Sequence, residues 1–78
     1  MDDKQLLKHL KNKRAVLGMS ATELARRSNV SPLTIRNYEI GSSDPLLSNV
    51  INIAEQLGYE IMLRWKGLPQ ERERDNGI

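Results

Sequence analysis

The sequence predicts an all-α fold of four short helices followed by one C-terminal strand, and three features predict it. Between Met19 and Gly41, helix-start and helix-stop signals alternate closely enough to divide the stretch into two short helices joined by a tight turn. On either side of that stretch, apolar residues recur at helical spacing. From Tyr59 to Trp65 the period shortens to that of a strand.

The first helix is expected from Asp3 to Leu17. Leu6, Leu7, Leu10 and Leu17 form its apolar stripe, lysines stand between them, and Asp2 and Asp3 suit the positive end of the helix dipole. Arg14 falls on the same stripe one turn past Leu10. An inward arginine needs a partner, or else its stem lies on the core while its head snorkels to water. His9 is the only histidine and has no metal-ligand company, so it reads as an exposed helical residue.

The second helix opens at Ser20, which with Glu23 three residues on forms a capping box, while Met19 and Leu24 are placed as a hydrophobic staple. Asn29 tolerates the left-handed exit, and the apolar Val30 turns the chain back to the core. Ser31 then caps a third helix, Pro32 takes its first position, and Gly41 closes it. Ile35 and Tyr38 share the inward face of this helix, whereas Leu33, Arg36 and Asn37 share the outward one.

Ser42-Ser43-Asp44-Pro45 is a loop by composition, with Asp44 and Pro45 placed to cap the next helix. That fourth helix is expected from Leu46 to Leu57, with core positions Leu47, Val50, Ile51, Ile53, Ala54 and Leu57 and a stop at Gly58. Its stripe is wide enough for one edge, Leu46, Val50 or Ile53, to serve a subunit contact.

Tyr59, Ile61, Leu63 and Trp65 then alternate with Glu60, Met62 and Arg64. A lone strand has no ladder, so these four residues are expected to dimerise the protein by pairing with the same strand of a second subunit. A fifth helix or a coil packed on its own domain is the alternative. Residues 67–78 hold little to bury and are expected to form a mobile charged tail, leaving residues 1–66 as the domain.

The chain has 78 residues, enough for one domain of modest core. Its net charge of +2 is unevenly spread: residues 1–41 hold eight basic and four acidic side chains, residues 42–78 four basic and six acidic. The half with the paired short helices is thus the basic half, the distribution that phosphate binding requires, although proteins that bind nothing can share it. The absence of cysteine excludes a disulfide framework and thiolate metal sites. No apolar run approaches the ~20 residues of a membrane span, and Met1-Asp2-Asp3-Lys4 opens no signal peptide, so a cytoplasmic protein is expected. No nucleophile and base stand together and no carboxylates cluster, so neither an enzyme nor a metal or cofactor is expected.

The outward face of the third helix carries the sharpest chemistry. Arginine for guanine, asparagine for adenine and an apolar side chain for the thymine methyl are the geometric pairings of the DNA major groove. A merely solvated face would more often carry Glu, Lys and Gln, and that reading stays open.

Leu17-Gly18-Met19-Ser20, Glu23-Leu24-Ala25, Val30-Ser31, Ile35, Tyr38-Glu39-Ile40-Gly41, Pro45, Ile53-Ala54 and Leu57-Gly58 together resemble the Xre/Cro-type helix-turn-helix of phage repressors and bacterial regulators. The resemblance spans Leu6 to Tyr59 and implies a compact four-helix phage-repressor-like DNA-binding domain. It implies an ion pair between Arg14 and Glu39, base contacts from Pro32, Leu33, Thr34, Arg36 and Asn37, and phosphate contacts from Arg14, Ser20, Ala21, Thr22, Ser31, Ser42 and Ser43. Arg26 and Arg27 either add charge to that set or are solvated surface. Two departures stand out: Asn29 replaces the usual glycine, and the loop after Gly41 lacks the usual basic residues. The segment from Tyr59 to Trp65 resembles the intersubunit strand of HipB-type antitoxins.

These expectations describe a homodimeric regulator, a repressor of transcription, acting on a palindromic operator in double-stranded DNA. The alternatives are an antitoxin that silences a partner toxin and autoregulates its operon, and a protein-interaction scaffold that reads no sequence.

Overall fold

The computed structural model describes residues 2–69, which form four helices: α1 (Asp3–Val16), α2 (Ala21–Ser28), α3 (Pro32–Ile40) and α4 (Leu47–Gln56). Three of the four starts have a local side-chain cap. Asp2 caps α1 by accepting the Gln5 amide at 2.8 Å while the Gln5 side chain accepts the Asp2 N–H at 3.1 Å, a full capping box. Ser20 accepts the Glu23 N–H at 3.0 Å, but the Glu23 carboxylate turns to Arg27, so the box expected at α2 is only half made. Ser31 caps α3 with Pro32 in its first turn, as expected. At α4 the expected cap by Asp44 is not formed: the N-cap is Leu46, which has no side-chain acceptor to offer.

The four exits share one device. Gly18, Asn29, Gly41 and Gly58 all have positive φ, from 59 to 89°. At each exit, that residue's N–H bonds back three residues, and the next N–H bonds back five. At α2 these are Asn29 N–H to Arg26 C=O at 3.3 Å and Val30 N–H to Ala25 C=O at 3.0 Å; at α3, Gly41 to Tyr38 at 3.3 Å and Ser42 to Asn37 at 2.9 Å. This Schellman geometry satisfies carbonyls that a helix end otherwise leaves open.

The turns fold α2 onto both α3 and α4, with α1 laid across α3. One core results, made of Leu7 and Leu10 of α1, Leu24 and Ala25 of α2, Ile35 and Tyr38 of α3, and Val50, Ile53, Ala54 and Leu57 at the other end. Leu24 and Ile35, each 2 % exposed, are at its centre; burying such a side chain contributes about 1.5 to 3 kcal/mol. Ser28 is buried among them, and its Oγ has no hydrogen-bond partner among the described residues.

Several expected core positions are outside. Leu17 is 50 % exposed and Leu47 67 %, because the chain leaves α1 before Leu17 and enters α4 only at Leu47. Conversely, Val50 and Ile53 are fully committed to the core and withdraw from the subunit-contact edge, which keeps only Leu46.

Beyond α4, residues 59–69 carry neither helix nor strand, and no strand occurs among the described residues. The expected C-terminal strand is therefore not formed within one chain, which offers it no neighbour to complete a ladder. Tyr59 departs from the other three candidates. Its side chain is partly buried against the core and its hydroxyl lies 2.8 Å from His9 Nε2, while Lys13 Nζ sits 5.8 Å above its ring. His9 is exposed as expected, but engaged. The expected tail falls outside the described residues from position 70 onward.

Candidate nucleic-acid interface

The outward face of α3 exists because its inward face is held from two sides. Ile35 and Tyr38 are buried, and the Tyr38 hydroxyl accepts the Leu46 N–H at 3.0 Å and lies 3.1 Å from Asn49 Nδ2. One phenol oxygen thus ties α3 to the entry of α4, through the backbone N–H of its N-cap residue and the side chain of Asn49. With that face pinned, Leu33 is turned outward at 63 % exposure beside an exposed Arg36, and Asn37 is half-buried on the same side. Arg36 makes no ion pair among the described residues, so its guanidinium is free to form a planar two-donor fork. Pro32 and Ser31 are exposed at the start of the helix, where Ser31 Oγ and Thr34 Oγ1 are 2.8 Å apart.

Next to α3 packs α2. Ser20 and Thr22 are exposed, while Ala21 packs partly on the core and offers its backbone N–H. The Ser20 hydroxyl takes the Glu23 N–H, leaving the earlier amides of α2 open toward an anion, favoured there by the helix dipole. Ser42 and Ser43 are exposed beyond the end of α3; the Ser42 hydroxyl approaches Asn37 C=O at 3.5 Å.

Arg14 ties the parts together. Its Nε donates to Glu39 Oε2 at 2.6 Å and its Nη2 to Oε1 at 3.1 Å, the ion pair that the resemblance implies. Nη1 donates to Met19 C=O at 2.7 Å, immediately before the start of α2. A single side chain thus connects the end of α1, the start of α2 and the end of α3. Three of the five guanidinium donors are used, so two N–H groups remain for the expected phosphate contact.

Arg26 and Arg27 behave otherwise. Arg27 Nη2 is 2.6 Å from Glu23 Oε2 and Arg26 Nη2 3.8 Å, which makes them part of an exposed ion-pair cluster on α2. Both arginines are exposed. Of the four residues expected to dimerise the protein, Ile61, Leu63 and Trp65 are exposed, Leu63 completely, whereas Tyr59 is docked on its own domain.

Two contributors escape a reading of the sequence. The Tyr38 hydroxyl is legible there only as part of a core tyrosine. The lysines of α1 are legible as a polar face, and only the packing shows that Lys4, Lys8 and Lys11 border a groove shared with Ile40 and Gly41. Among the described residues there is no group of His, Cys, Asp and Glu able to hold a metal ion, and no helix is long and apolar enough to cross a membrane.

A family model described as Helix-turn-helix matches residues 10–63, which takes in the end of α1, all of α2, α3 and α4, and the first residues beyond. No curated protein and no solved structure matches the chain.

Proposed function

The chain belongs to the Xre-type helix-turn-helix family of DNA-binding transcriptional regulators, and from that premise we propose that it acts as a homodimeric repressor of transcription. One observation carries the reading: α3 keeps Leu33 and Arg36 exposed and Asn37 reachable on a single face, while its opposite face is locked into the core. In this reading each subunit lays α3 in the major groove. Arg36, Asn37 and Leu33 meet base edges, with Pro32 and Thr34 at the margin of that contact. Ser20, Ala21, Thr22, Ser31, Ser42, Ser43 and the spare donors of Arg14 hold phosphates and set the register.

Two such helices, related by a twofold axis, read half-sites about 34 to 36 Å apart on one face of the duplex. The exposed run through Ile61, Leu63 and Trp65 supports the dimer, since an apolar segment in water gains by being covered. Selection of bound sequences from a random duplex pool tests the reading. The expected result is a palindromic consensus with half-sites one helical turn apart; a pool that returns no consensus would refute sequence-specific regulation.

The same exposed segment favours a second reading, in which a toxin rather than a second copy covers it and DNA binding serves autoregulation. Co-purification with the product of an adjacent gene, lost when Leu63 and Trp65 are replaced by Ser, distinguishes the two.

A further inference from the structure

We propose that Lys4, Lys8 and Lys11 of α1 form a separate phosphate-binding stripe, which grips the DNA backbone where it passes the C-terminal end of α3. The proposal rests on the DNA-binding reading above and deepens it, by assigning a contact surface outside the helix-turn-helix unit.

The spacing of the three lysines puts them on one side of α1. There they border a groove of about 350 Å³, whose other wall includes Ile40 and Gly41 at the end of α3. All three are exposed, and none makes an ion pair among the described residues. Among the described residues the only acid bordering the groove is Glu39, and both of its oxygens are taken by Arg14. The positive charge of the groove is therefore not cancelled from within.

Repulsion between like charges one turn apart destabilises a helix, so the stripe is a cost to the free protein that an anion would relieve. The neighbouring surface makes the anion a phosphodiester chain. The loop leaving α3 is Ser42-Ser43-Asp44, with no cation of its own, and it follows the negative end of the α3 dipole. A phosphate reaching the exposed Ser42 and Ser43 would meet hydroxyls but no countercharge from the loop. The lysines across the groove supply that charge. As flexible point charges they neutralise phosphate without reading sequence.

The test compares the wild-type protein with the triple variant Lys4→Gln, Lys8→Gln, Lys11→Gln and with the charge-preserving triple Lys→Arg variant. Binding is measured against salt concentration on the selected consensus duplex and on a random-sequence duplex. The slope of log affinity against log salt is expected to be shallower in the Gln variant by about 2 to 3 per protomer on both duplexes, and unchanged in the Arg variant. Circular dichroism of both variants should match the wild type, because the exchanged side chains lie on the surface. A Gln variant with the wild-type slope overturns the stripe and leaves the regulator reading intact. A shifted slope on random duplex, with no consensus from selection, supports the stripe while refuting specific regulation. Absence of binding to either duplex by the wild-type protein overturns both.

Discussion

Arg14 would be unremarkable as a leucine, yet its guanidinium joins three helix ends. The pair with Glu39 is mostly buried, the two side chains 16 % and 14 % exposed, so it lies between a surface bridge and an interior one. Glu39→Gln is expected to lower stability by about 1 to 3 kcal/mol in urea denaturation, since it leaves the arginine charge without its counterion. Ser28 runs the other way. Its buried Oγ has no partner among the described residues, so Ser28→Ala should raise stability by about 1 kcal/mol, measured in the same way. In the proposed reading Asn37 serves recognition, and Asn37→Ala should cost about 1 to 3 kcal/mol of discrimination at one base pair. Equal losses on consensus and random DNA would remove it from the base-contacting set.

At the scale of elements, the turns are built by the backbone. A Cβ placed on Gly41 meets nothing within 4 Å, so Gly41→Ala is strained only by the φ of +76°. Thermal unfolding should show a loss of about 1 to 2 kcal/mol, with DNA contacts of the remaining protein unchanged. This is also why so much of the fold is legible in the sequence. Ser20, Asn29, Ser31, Pro32 and Gly41 act within a few residues of themselves, and each does what its type predicts. Expectation and structure part where a distant partner decides. Asp44 has the chemistry of a cap for α4, but the helix starts later, with Leu46 as its N-cap and the Leu46 N–H held by the Tyr38 hydroxyl from another helix. A local rival can also decide: Glu23 has the spacing of a capping box, yet Arg27 one turn later binds its carboxylate. Tyr59 fits the strand alternation, and His9 with the core claims it instead. The outward face of α3 is legible because helical spacing alone separates Leu33, Arg36 and Asn37 from Ile35 and Tyr38. The groove beside Lys4, Lys8 and Lys11 is not, because it needs the angle between two helices.

Among the described residues, a closed four-helix domain is followed by an exposed segment, residues 60–69. Truncation after Glu60 keeps Tyr59, whose N–H bonds Ala54 C=O at 2.9 Å, and so should leave the four helices folded. Sedimentation should then report a monomer, against the dimer proposed for the full chain; an unchanged dimer would move the subunit contact elsewhere, with the exposed Leu46 and Leu47 the next surface to test. The four matching helix exits bear on the molecule in another way. Corners made from main-chain bonds do not depend on which residues decorate the outside of α3, so that surface can be rewritten without rebuilding the frame. A library randomised at positions 33, 36 and 37 should yield mostly well-folded members, and screening it against altered operators would readdress the protein to new sites.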